Sequence, residues 1–436
     1  MAAAAALSGL RQDREKRQQA NYQQLVREQW LAQPDRHPHR AAHYGTFAFK
    51  PRSVLAAYEP GIESYAGRIQ FLEAHRQNGA NFAEAGTLSA ASRLGELSPG
   101  FLVEAVLALM IVIIGHGVMA AEIESGRVRL LRAQLGQRSK VLWSAKALGL
   151  WIGISPFVVV AAVLPMLLAF SDEQAVLSRV GLLLGCIIGY SVLWVLLVTA
   201  LSALSRTTQQ ALALGMCLWL ASSVIFPRVA SGVAAAWHPL PDKSEFNARL
   251  AEELGKLGDS HNANDPAFVT LKEETLRKYG VSRVEDLPFN YKGLVMAEGE
   301  EQSARVFAQE LAKIEDVQSS QAAFLEVAAW LSPALALREI TSRLCGTDAA
   351  GQRRFIREAE AYRFSLIQQL NHMQRDHTAY AGKNVQRISS DHFDEIADFQ
   401  PTPPSLSTAL AGSVGNWSAL CMWGLLAITL GRRAAR

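Results

Sequence analysis

An all-α, polytopic membrane protein carrying a mainly helical domain outside the bilayer is the fold class that this sequence predicts, on three observations. Five charge-poor apolar stretches, at residues 100–121, 147–170, 180–204, 207–227 and 406–430, each reach the roughly 20 residues that a spanning helix needs. Half of the 436 residues are hydrophobic, yet the mean hydropathy is only slightly positive, so large hydrated regions must dilute the spans. Runs alternating with period two are missing, which argues against a dominant sheet.

The charges between the spans set the expected orientation. Arg127, Arg129, Arg132, Arg138 and Lys140 lie between the first two stretches, Arg206 between the third and fourth, and Arg432, Arg433 and Arg436 close the chain. The remaining short loop has one Arg, Arg179, against Asp172 and Glu173. Lys and Arg concentrate in short cytoplasmic loops, so residues 11–99 and 228–405 are expected on the extracytoplasmic side. Residues 1–10, MAAAAALSGL, are too short to span and lack the features of a signal peptide. They read as the remnant of a truncated sixth helix that would precede the five visible spans, the plainer alternative being an Ala-rich N-terminus. Residues 100–227 then form a four-helix transmembrane block with a cytoplasmic loop at 122–141, residues 406–430 the last span, and 431–436 a basic cytoplasmic tail.

Both extracytoplasmic segments read as helical. Residues 11–30 are charged and Gln-rich without Gly or Pro, as expected of a helix emerging into water. Residues 33–49 carry Pro34, Pro38 and Gly45 and read as a loop. Further on, Phe246, Leu250, Leu254 and Leu257 repeat at helical spacing up to Gly258. Asp265 before Pro266 marks a helix start and Tyr279–Gly280 a stop. A long pattern through Val306, Phe307, Leu311 and Ile314 runs toward Pro333, and Thr347 and Asp348 can cap a helix with Phe355, Ala359, Tyr362, Leu366 and Leu370 on one face.

Chemistry is sparser than topology. A net charge of +3 does not suggest nucleic acid as a partner. Three of the four cysteines lie inside spans, leaving Cys345 alone outside, so no disulfide is expected there. GxxxxGK[ST] and HExxH are both missing, and no nucleophile and base stand out, so neither ATP hydrolysis nor another enzymatic activity is expected of this chain itself. His37, His39 and His43 have ligand-like spacing. Without a cysteine or carboxylate partner they read first as capping and packing of an ordered loop, with metal ligation as the alternative. Glu104 and His116 lie in the first span, twelve residues apart and so on roughly similar faces. They could line a polar passage, although each lies near an end of the span where water can solvate it.

The most informative segment is AEIESGRVRLLRAQLGQRSKVLWSAK, residues 121–146. Two acids precede a break at Gly126, and Val128, Leu131 and Leu135 then repeat at helical spacing among arginines, the pattern of a short interfacial helix. Glu122, Glu124, Gly126, Leu130, Leu131, Arg138 and Lys146 resemble the E-x-E-x-G-T-x-x-x-L-L…S-R…G-K loop of type-2 ABC exporter permeases, in the branch with a large extracytoplasmic insertion before the last span. The segments 37–51 and 65–78 resemble the first external region of that branch. Arg127 departs from the family's Thr, Gly136 and Gln137 from its Pro-containing turn, and Ala145 from the Gly before Lys.

The resemblance implies a permease subunit in the bacterial inner membrane, without its own ATPase site or any cofactor, that exports or extracts a substrate. It implies a separate ABC ATPase that binds the ATP, a second permease subunit in a homo- or heterodimer, and a coupling role for Glu122, Glu124, Gly126, Leu131, Leu135 and Arg138. The contrasting expectation is a membrane-anchored sensor or assembly scaffold with a ligand- or protein-binding external domain.

Overall fold

The computed structural model describes residues 2–77, 98–136, 141–168, 174–380 and 386–434. Among these, five helices are long and apolar enough to cross a membrane: Pro99–Glu124, Val141–Leu168, Val176–Leu204, Thr208–Trp237 and Val414–Ala434. They follow the five apolar stretches closely, with two clear differences, at the fourth and the last. The fourth continues through Pro227 to Trp237. Proline removes a backbone donor and crowds the preceding turn. Here that turn, Leu220–Ile225, is a wide π turn, which gives the ring room. The second span likewise stays one helix through Pro156 and Pro165. At the far end the stretch 406–430 is divided, because the helix Leu406–Gly412 stops at Ser413 before the last span begins.

The third span is the centre of the bundle. Its Leu183, Ile187 and Trp194 are fully buried against neighbours that include the first, second and last spans. The second span instead shows Leu148, Ile152, Val159 and Leu167 on an exposed face. An apolar stripe of this size needs lipid or another protein to cover it.

A helical domain sits at one end of the bundle. The helices Tyr291–Ala328 and Ala349–His377 run along each other, and Phe355, Ala359, Leu366 and Leu370 are buried, as the spacing predicts. Lys243–Gly255 and Val269–Tyr279 pack beside them, the latter ending at Gly280 in the left-handed conformation. The helix Ala2–Leu31 spans the Ala-rich start and the charged stretch without a break. It docks by Trp30, buried with its indole N–H donating to the Phe393 carbonyl.

Residues 33–49 are more ordered than the sequence suggests. His37 accepts a hydrogen bond from the His39 N–H and starts a helix at Pro38–Tyr44, which ends at Gly45. Proline at the first helical position is favourable because its missing donor would be unpaired there anyway. The strand Thr46–Phe49 follows and pairs antiparallel with Ile69–Leu72, Thr46 opposite Leu72 and Phe49 opposite Ile69. Gly45 has φ +69°, and a Cβ there would lie 2.5 Å from the Leu72 carbonyl, so only glycine permits this approach.

The helix Pro333–Cys345 joins the domain to the spans. Ala334, Leu335, Ala336, Leu337, Ile340 and Leu344 are all buried. From the third span Arg179 donates to the Leu344 carbonyl at 2.7 Å, meeting the negative end of the helix. From the fourth, the Ser222 carbonyl accepts from the Ser332 hydroxyl at 2.5 Å.

Candidate functional site

The described part of the 121–146 segment lies at the opposite end of the bundle from the helical domain. The first span ends at Glu124, Gly126 turns the chain with φ +73°, and a nine-residue helix, Arg127–Leu135, follows to Gly136. Glu122 accepts from Arg127 Nε at 2.7 Å and from Lys146 Nζ at 2.9 Å, which ties the segment to the second span. Glu124 accepts from both the backbone N–H and the hydroxyl of Thr208, each at 2.9 Å, and so caps the start of the fourth span. Arg132 donates to the Ala434 carbonyl at the end of the last span, at 3.4 Å. Arg127 and Arg132 thus fasten the short helix to the ends of the first and last spans, and Glu122 and Glu124 fasten the end of the first span to the second and fourth.

The apolar surface of that helix differs from the expected one. Leu130 is 66% exposed and Leu135 37%, whereas Leu131 is half-buried. The 3.6-residue turn places Leu130 and Leu131 about 100° apart, and it is Leu131 that turns inward. Arg138 lies outside the described residues.

Glu104 and His116 are not brought together. Glu104 sits in a π turn, Leu102–Leu107, and is 1% exposed. It is held by Arg338 Nε at 3.0 Å and by the terminal guanidinium nitrogen at 2.8 Å, so it is not solvated at a membrane interface as its sequence position suggests. His116 bonds within its own helix, to the Ile113 carbonyl at 2.8 Å. Among the described residues the two share no hydrogen-bond partner.

The three N-terminal histidines separate. His37 serves as a cap, while His39 and His43 lie one turn apart with their Nε2 atoms 3.1 Å from each other. Two histidines from distant positions, His75 and His261, join them. Burial and then the rings of His43, His75 and His261 push the His39 pKa down to about 3. Burial, followed by His261 and His43, lowers His75 to about 4. Both rings are therefore neutral at ordinary pH.

A cavity of about 800 Å³ opens between the helical domain and the third span, lined among others by Arg27, Phe47, Phe49, Lys50, Arg354 and Phe355. Its walls combine aromatic faces with the cationic heads of Arg27, Lys50 and Arg354 and the carboxylates of Glu358 and Asp398, the last paired with Arg27 at 3.2 Å.

Comparison with curated proteins and with solved structures returns no match. Residues 243–402, which contain most of the helical domain, match a family described as Domain of unknown function (DUF3526). Residues 2–251 match the family described as ABC-2 family transporter protein. That match covers more than half of the 436 residues and includes four of the five spans with the fastened 121–146 segment, so the chain belongs to the ABC-2 transporter family, as a multi-pass membrane permease of an ABC transporter with an additional helical domain.

Proposed function

We propose that this permease is the transmembrane subunit of an ATP-driven exporter or extractor in the bacterial inner membrane, with its helical domain on the extracytoplasmic face. A separate ATPase binds ATP and docks on residues 122–141, and a second permease, identical or related, completes the pathway. The observation that carries this reading is the Arg127–Leu135 helix, solvent-facing and rich in arginine, yet held by Arg127 to Glu122 at the end of the first span and by Arg132 to the end of the last, while Glu122 and Glu124 tie that end of the first span to the second and fourth. Closure of two ATPase subunits would press on that helix. Rigid helices transmit such a displacement better than loops, because packed elements move as bodies.

The same reading assigns two further surfaces. The exposed apolar face of the second span meets lipid or the second permease. The cavity beside the third span is where a substrate from the outer leaflet or the extracytoplasmic space first meets the protein.

Leu130→Asp tests the docking role, because Leu130 is the most exposed large apolar side chain of the helix. A charge placed in a desolvated contact costs several kcal/mol. The variant is expected to insert and melt like the wild type but to lose the ATPase when co-purified with one co-expressed from a neighbouring gene. Unchanged co-purification together with unchanged stimulated ATP turnover would remove the coupling role.

A further inference from the structure

We infer that His39, His43, His75 and His261 form a binding site for one divalent transition-metal ion of the zinc class, which clamps two separate parts of the chain together. The four imidazoles come from three stretches: the Pro38–Tyr44 helix, the turn after the strand Ile69–Leu72, and the loop before Pro266. One ring nitrogen from each lies within 4.8 Å of one from every other. A tetrahedral zinc site with bonds of roughly 2.0–2.1 Å has its ligand atoms about 3.3 Å apart. Small side-chain rotations therefore bring the four nitrogens onto a metal, without backbone movement.

Local structure is built around these rings. His39 and His43 are spaced one helical turn apart, which aligns them on one face. His75 is the one non-glycine residue with positive φ, +59°, among the described residues. Such a conformation persists where surrounding structure holds it. His261 has its Nδ1 3.2 Å from an Asp259 carboxylate oxygen, which also accepts from the His261 backbone N–H. A carboxylate on Nδ1 presents Nε2 outward, the arrangement that orients metal-bound histidines in general. Glu300 plays a similar part for His75, with its carboxylate 3.6 Å from Nδ1. Glu300 is in turn fixed by Arg363 at 2.7 Å, both side chains being fully buried.

Two further details point to a ligand. The buried ring nitrogen His75 Nε2 has no hydrogen-bond partner among the described residues, an unusual condition for a polar atom in a protein interior. Gly299 lies against the loop that carries His261. A Cβ there would sit 2.3 Å from the Ser260 Cβ, so the glycine is what lets this loop close on Glu300 and the other histidines.

The donor set selects the metal. Four imidazole nitrogen donors suit zinc, copper and nickel and are poor ligands for calcium or magnesium, which take oxygen. Four protein ligands leave no open position, as in structural rather than catalytic zinc sites. The ion would pin residues 39–75, which precede the first span, to the loop at 261, which follows the fourth.

The test uses tag-free full-length protein in detergent, freed of metal by a chelator and titrated with cobalt(II) and zinc(II). One equivalent of cobalt is expected to bind with the intense visible absorption of a tetrahedral site, to be displaced by zinc, and to raise the melting temperature. His39→Asn and His261→Asn should each abolish that spectrum, whereas His37→Asn should leave it unchanged. Asp259→Asn is expected to lower affinity roughly 10–100-fold. Wild-type protein that melts cooperatively but takes up no cobalt would overturn the site, as would a weak octahedral spectrum or binding that survives the double variant His39→Asn/His261→Asn.

Discussion

The Arg338 guanidinium donates two hydrogen bonds to one carboxylate oxygen of Glu104, at 3.0 and 2.8 Å, and so locks the helix Pro333–Cys345 to the first span. Glu104 is 1% exposed, and removing its partner would strand a charge away from water. Breaking such a buried pair typically costs about 3 kcal/mol or more. Arg338→Ala is therefore expected to lower the melting temperature in detergent, and Glu104→Gln/Arg338→Gln, which carries no stranded charge, should recover much of the loss. Equal melting of Arg338→Ala and wild type would refute a stabilising role for the pair.

Arg363 poses the same problem deeper in the helical domain. Its side chain is fully buried between Glu300, at 2.7 Å, and Glu360, also at 2.7 Å. Arg363→Ala leaves two carboxylates with no buried cation, at a cost of about 3–5 kcal/mol. Arg363→Lys should not restore stability, because an ammonium cannot reproduce the planar fork that reaches both partners. Thermal denaturation followed by circular dichroism distinguishes the three proteins, and a lysine variant as stable as wild type would contradict the geometric argument.

Gly126 isolates backbone conformation from packing. Its φ is +73° and an added Cβ would meet nothing within 4 Å, so a substitution is resisted by the backbone alone. Gly126→Ala should cost about 1 kcal/mol, and Gly126→Asn less, since asparagine tolerates the left-handed region. If the turn aims the Arg127–Leu135 helix, stimulated ATP turnover should fall in the order glycine, asparagine, alanine. Turnover indifferent to all three would mean that the angle of this turn does not matter.

What the sequence made legible was local. Helix starts and stops such as Asp265–Pro266, Gly280 and the break at Gly126 depend on one or two residues and their caps, and the structure has each of them in place. The helix at Pro38–Tyr44 was hidden because prolines read as loop formers, although Pro38 occupies the first helical position, where proline fits well. Long-range pairings left no local mark. Nothing near Glu104 announces Arg338, and nothing in the spacing of His37, His39 and His43 announces His75 or His261. The Arg127–Leu135 part of the 121–146 segment was legible as a helix, but the burial of its side chains was not. Which of two adjacent leucines, Leu130 or Leu131, turns outward depends on how the helix sits against the bundle.

The length of the helix Tyr291–Ala328 has a mechanical consequence. At about 1.5 Å per residue its 38 residues extend roughly 57 Å. Its base, near Phe324 and Ala328, rests on Ala230 of the fourth span, while Glu300 and the histidines lie about 42 Å farther along the rod. A rotation of only ten degrees at the base would sweep that tip through about 7 Å. Ångström-scale shifts among the spans would therefore arrive at the far end magnified several-fold, as at the end of a lever. Probes attached near the histidines would register rearrangements of the bundle that probes within it barely resolve.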